Sequence, residues 1–164
     1  MPVYNVVLST LMTQAPPFGN NLRPVQSSNL ANYSWLINFE GLFGADLLKY
    51  NKCYLRYKLA SEPSTSMTGV ANLGFLALTG ISTDKQASNI PATYIDLLQV
   101  EQAPIVASSY RFYQNNLEHS YGVQINVPNG TQEVGVRFYN DDAITFQSNV
   151  PNYVLTLQFV LSNE

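Results

Sequence analysis

Hydrophobic and polar residues alternate with period two along most of this chain, the pattern of strands with one face buried. Residues 3–8 set Tyr4, Val6 and Leu8 on one face and Val3, Asn5 and Val7 on the other. Residues 33–40 set Tyr33, Trp35, Ile37 and Phe39 against Ser34, Leu36, Asn38 and Glu40. The cleanest alternation is 52–59, with Cys53, Leu55, Tyr57 and Leu59 inward and Lys52, Tyr54, Arg56 and Lys58 outward. Further strands are predicted at 73–79, 93–100, 104–113 and 120–127. Residues 133–139 set Val134, Val136 and Phe138 on one face, with Arg137 and Tyr139 opposite. Residues 153–161 set Tyr153, Leu155, Leu157, Phe159 and Leu161 inward.

Turn chemistry separates these runs. Pro128-Asn129-Gly130-Thr131 carries the Asn-Gly pair that favours a tight hairpin, so 120–127 and 133–139 are predicted to pair. Pro16-Pro17 marks a loop, because consecutive prolines remove ladder donors. Another loop is expected around Pro63, and the stretches 11–32 and 61–72 are read as long loops. Only 43–51 reads as helical, for a turn or two, with Asp46 as an N-terminal charge.

Eight or nine strands without a crossover helix predict an all-β, antiparallel β-sandwich. A jelly roll and an immunoglobulin-like sandwich both have suitable strand numbers. The chain lacks the spaced Cys, Trp and Cys of the latter. A jelly roll pairs its first and last strands, here 3–8 and 153–161, so a single jelly roll of about eight strands is favoured. With 164 residues, no linker and no repeat, one domain over 1–164 is expected.

Composition changes the picture of the surface rather than of the fold. Hydrophobic residues make up 46% and charged residues only 12%. The chain is too apolar and aromatic for disorder and too poor in charge for a long solvated helix. Asn, Gln, Ser and Thr number 51, against 19 charged residues, and there are 11 Tyr. Protein interfaces likewise lose Lys, Glu and Asp and gain Tyr. The composition therefore fits a surface covered by partners, and also a charge-poor sandwich with no partner. The net charge of −3 gives no footprint for direct nucleic-acid binding. No signal peptide and no membrane span is read in the chain. The sequons at Asn32 and Asn129 are accordingly expected to be unglycosylated.

Candidate chemistry is sparse. His119, the one histidine, sits in a polar turn and reads as a solvated loop residue rather than a catalytic base. Cys53 lies on an inward strand face and reads as a small core hydrophobe. Asp141 and Asp142, with Glu118 or Glu133, contain the carboxylates for sugar chemistry or calcium, but adjacent aspartates after a strand more often form turns. No phosphate-cradling glycine loop occurs. Neither an enzyme nor a cofactor is therefore expected.

The one charge feature is a basic cluster, Lys49, Lys52, Arg56 and Lys58, half of all the positive charge. One reading is an edge strand blunted by lysine. The other is a docking strip for an acidic neighbour. The interface candidates are Lys52, Tyr54, Arg56, Lys58, Arg137 and Tyr139.

The opening Tyr4-Asn5-Val6-Val7-Leu8-Ser9-Thr10 and the later Tyr33-Ser34-Trp35-Leu36-Ile37-Asn38-Phe39 resemble small β-sandwich proteins of large icosahedral double-stranded DNA viruses of algae and protists. Tyr54-Leu55-Arg56-Tyr57 and Leu73-Gly74-Phe75-Leu76 are similar to that group as well. The resemblance covers the first half of the chain best. It implies a jelly-roll minor capsid or penton-like protein located in the virion, with other capsid proteins as partners in a homo-oligomer or hetero-assembly. It carries over no site residues. The alternative from a different class is a carbohydrate-binding sandwich, a lectin or attachment module, in which exposed Tyr or Trp35 stacks on sugars. Alternation places Trp35 in the core, which makes its exposure the discriminator.

Overall fold

The strictest alternations become the longest ladders. The structure, a computed structural model, describes residues 1–11, 22–25, 29–61, 73–99, 111–114, 122–140 and 152–164. These contain β1 (Val3–Ser9), β2 (Leu22–Val25), β3 (Asn32–Asn38), β4 (Lys52–Ser61) and β5 (Leu73–Thr79). They continue with β6 (Thr93–Gln99), β7 (Arg111–Gln114), β8 (Val123–Ile125), β9 (Thr131–Asn140) and β10 (Tyr153–Ser162). A single helical turn, α1 (Phe39–Phe43), runs into a 3-10 segment, Gly44–Leu48.

All pairings are antiparallel, in two sheets. The first has the order β1-β10-β4, and β7 and β8 share the far edge of β4. The second has the order β2-β3-β9-β5-β6. β1 and β10 pair along their length, from Val3 opposite Val160 to Ser9 opposite Val154, as expected for the first and last strands. β10 and β4 pair from Tyr153 opposite Ser61 to Ser162 opposite Lys52. Two sheets facing each other make the expected β-sandwich.

The inward faces share one core. Leu8, Leu55, Leu157 and Phe159 from the first sheet meet Trp35, Ile37, Leu76, Val134 and Val136 from the second. Each large apolar side chain removed from water contributes about 1.5–3 kcal/mol. Aromatic rings knit the layers: the Tyr153 ring lies 5.1 Å from that of Phe138 and 6.3 Å from that of Trp35, both edge-on. The Tyr57 hydroxyl crosses from β4 and donates to the Asp96 carboxylate on β6.

Three expectations are corrected. First, 120–127 and 133–139 do not form a hairpin. β8 pairs with β4 in the first sheet and β9 with β3 and β5 in the second, so Asn129-Gly130 carries the chain between layers. Gly130 does adopt positive φ (59°), but its carbonyl accepts from the Phe39 amide rather than closing a hairpin. Second, the predicted loop 11–32 contains a strand, β2, on the sheet edge. Pro24 is tolerated there because an edge strand leaves one side of its backbone unpaired. Third, the helical stretch starts earlier than predicted, at Phe39, because the Asn38 side chain caps it by accepting from the Gly41 amide. The strand predicted at 93–100 is present as β6, where a bulge shifts the register between Asp96 and Tyr94, leaving Leu97 outward and 45% exposed while Ile95 and Leu98 stay buried.

Candidate functional site

The sequence candidates fall on opposite outer faces of the sandwich. Lys52, Tyr54, Arg56 and Lys58 form one column on the outer face of the first sheet, because every second residue of β4 points the same way. β4 is an interior strand, with β10 on one side and β7 and β8 on the other. That overturns the reading of its lysines as edge protection.

Adjacency completes this surface. Lys58 stands beside Thr156 of β10, and Thr156 beside Val7 of β1. Arg56 stands beside Gln158, and Gln158 beside Asn5. The Gln158 amide donates to Asn5 Oδ1 at 3.2 Å, which fixes both. Between them lies a groove of about 380 Å³ lined by Asn5, Val7, Arg56, Lys58, Thr156 and Gln158. Val3 and Val7, on the same face of β1, are 49% and 52% exposed. The stem of Arg56 passes over Gly122, where a Cβ would meet Arg56 Cγ at 2.9 Å and the Leu55 carbonyl oxygen at 2.3 Å. The Tyr54 hydroxyl donates to the Glu164 carbonyl at 3.0 Å. Lys58 is exposed, with no carboxylate in ion-pair range among the described residues.

Lys49, from the same sequence cluster, is drawn elsewhere. It pairs with Asp46 at 3.1 Å at the end of the 3-10 segment. Asp46 also accepts from the Tyr4 hydroxyl at 2.6 Å. That hydrogen bond, then Lys49, holds the Asp46 carboxyl below its ordinary range. The same bond to Asp46, aided by burial, pushes the Tyr4 hydroxyl up to about 12.

Arg137 and Tyr139 lie on the outer face of the second sheet, Arg137 half-buried and Tyr139 buried. The Arg137 guanidinium folds flat onto β9, donating to the Tyr33 carbonyl at 3.0 Å and the Val136 carbonyl at 3.1 Å. It occupies the space left by Gly135, where a Cβ would sit 2.3 Å from it. Burial lowers its pKa. Tyr139 is 4% exposed in a second apolar cluster with Ala77 and Ile90, flanked by Phe75, Ala92 and Tyr94. The segment after β5 supplies Ile90 and is tied down at both ends. The Thr83 hydroxyl donates to the Gln124 carbonyl, and the Gln86 side chain bonds both backbone groups of Tyr94.

No catalytic constellation appears among the described residues. Cys53 is fully buried, and burial pushes its thiol up to about 12, which makes it a core residue rather than a nucleophile. Trp35 is 2% exposed. Among the described residues no three His, Cys, Asp or Glu gather as metal ligands, and no helix is long and apolar enough to cross a membrane. His119, Glu118, Asp141 and Asp142 lie outside the described residues. Glu133 is exposed on β9.

Residue pattern alone missed the partnership of β4 with β1. Val3, Asn5 and Val7 were readable as an outward face, but their place beside Arg56 and Lys58 depends on β10 inserting between the two strands. The chain matches no protein-family model, and no curated protein matches it.

Proposed function

We propose that this chain is a structural subunit of a virion, a minor capsid or penton-like component that packs against other capsid proteins. The observation that carries the reading is the outer face of the first sheet, a grooved surface that no described segment covers. It offers a cationic and aromatic column on β4 beside uncharged polar and valine side chains. Such a surface suits an acidic protein face: Arg and Lys select the partner, and Tyr and Val supply contact area. The charge-poor composition supports the same reading, as does the resemblance to small capsid sandwiches.

A single jelly roll is the topology we favour within the sandwich. Set β2 aside and take β7 and β8 as one interrupted strand. The sheets then hold their strands in the orders 1-8-3-6 and 2-7-4-5 along the chain. Two interlocked Greek keys leave their strands in this order.

The carbohydrate-binding alternative loses its main anchor, because Trp35 is buried and unable to stack on a sugar. It remains the outcome to look for if the capsid reading fails.

The test is protein mass spectrometry of purified particles from a virus that encodes the chain. Recovery in fixed proportion to the shell proteins, surviving detergent and moderate salt, supports the proposal. Presence in the infected-cell lysate together with absence from the particle contradicts it, and a glycan screen then follows.

A further inference from the structure

We infer that the free edge of β1 pairs with the β1 edge of a second copy, joining two first sheets across a two-fold axis. Every second residue of β1 leaves its backbone groups unpaired by β10. The Leu161 amide donates to the Pro2 carbonyl, and the Thr10 amide donates to the Tyr153 carbonyl, both at 3.1 Å. Even-numbered residues of this stretch therefore bond to β10, and Val3, Asn5, Val7 and Ser9 aim their N–H and C=O groups away from the sheet. Nothing among the described residues pairs with that row.

The other edges are blunted. β2 carries Pro24, which lacks an N–H. The backbone of β6 at Tyr94 is taken by the Gln86 side chain, and its register is broken by a bulge. β7 and β8 are short, at four and three residues. β1 runs seven residues in unbroken register, with no proline and no charge. Proteins normally guard such an edge, because it is a template for another strand.

A second copy fits by symmetry. The outward-facing side chains read Val3, Asn5, Val7, which is palindromic about Asn5. In an antiparallel pair centred on Asn5, Val3 of one copy lies beside Val7 of the other, and the two Asn5 residues form a hydrogen-bonded pair. A two-fold axis makes this contact isologous, so one patch serves both copies. The basic columns do not oppose it. Five strand spacings of about 4.8 Å set the two β4 strands about 24 Å apart. At physiological salt that is about three times the screening length of 8 Å.

This pairing uses β1 and stands whether or not the β4 column docks to another protein. Three single variants test it on the full chain, by light scattering over a concentration series and by non-reducing electrophoresis after mild oxidation. In the expected pair the two Cα atoms at position 5 are about 5.5 Å apart, within disulfide reach. Asn5→Cys should therefore oxidise to a covalent dimer. Val3→Cys should not, because its two copies are offset by four residues, about 13 Å along the strand. Val7→Lys should turn a concentration-dependent dimer into a monomer, with the circular dichroism spectrum unchanged. The unsubstituted chain is the oxidation control, since Cys53 is buried. The inference is overturned if the unsubstituted chain is monomeric throughout the series. It is also overturned if Val3→Cys cross-links as readily as Asn5→Cys, or if Asn5→Cys stays uncoupled while folded.

Discussion

The outer face of the second sheet is covered around Tyr139 by the chain's own segment after β5, whereas no described segment covers that of the first sheet. Both carry the same kind of pattern, a cation and a tyrosine alternating outward along a ten-residue strand. On β9, Arg137 lies in the hollow over Gly135, and Tyr139 is capped by Ile90. On β4, Lys58 stays exposed and a groove opens beside it. The difference shows that alternation decides which side of a sheet a residue takes and not what lies on top of it. A cation becomes structural where a glycine makes room for it and carbonyls are within reach. It stays free to meet a partner where neither holds.

The largest effect should come from lifting the cover off the closed face. Gly80 starts the covering segment at φ 76°, and a Cβ there would sit 1.9 Å from the Glu133 carbonyl oxygen. Gly80→Ala should cost about 2–4 kcal/mol in urea unfolding and increase binding of an apolar dye as the Tyr139 cluster opens. An unchanged midpoint would break the comparison at its root.

The two cations themselves come next. Arg137→Ala removes donors from the Tyr33 and Val136 carbonyls and should cost about 1–2 kcal/mol. Lys58→Ala should change stability by less than about 0.5 kcal/mol, as for an exposed side chain. Equal losses in the same denaturation series would show that the two faces do not differ.

Tyr153 sharpens the account of the shared core. Its buried hydroxyl has no hydrogen-bond partner among the described residues, and burial raises its pKa. Tyr153→Phe should leave stability unchanged or raise it by up to about 1 kcal/mol, since an unsatisfied polar group is removed. A loss above that size, read from the thermal midpoint, would mean that the hydroxyl has a partner.

The smallest effect concerns pH at the helical corner. The Asp46 pKa is depressed by Tyr4 and Lys49, so its contribution is present above the unfolded carboxyl pKa of about 3.9. That contribution is lost as pH falls through the lower folded value. The stability gap between Asp46→Asn and the parent chain should therefore narrow as pH falls below about 4 and Asp46 becomes protonated in the folded chain. A gap that stays constant down to pH 2 would argue against the Tyr4 contact.

Most of the sandwich was legible from residue spacing. The inward positions of β4 and β10 and the pairing of first and last strands needed only period-two burial. The strand at 73–79 has the predicted limits. The hairpin was misplaced because local chemistry does not specify the partner. Asn129-Gly130 encodes a backbone turn, and whether the flanking strands pair depends on β4 and β3 competing for them. β2 is four residues long with a proline, too short for alternation to register. The bulge at Ile95 inserts one residue and reverses the faces beyond it, so Leu97 turned outward against its hydrophobicity. Of the six interface candidates, the outward side of each followed from spacing. The separation of Arg137 and Tyr139 from the other four did not, because it depends on which sheet each strand joins.

The most direct test of the open face is amine labelling of the chain, free in solution and inside purified virus particles, read lysine by lysine. Lys58 on the open face should be reactive when free and protected in the particle, while Lys85, on the exposed segment after β5, reacts in both. Equal labelling of Lys58 in both states would contradict the docking face, and absence of the chain from the particles would contradict the capsid assignment.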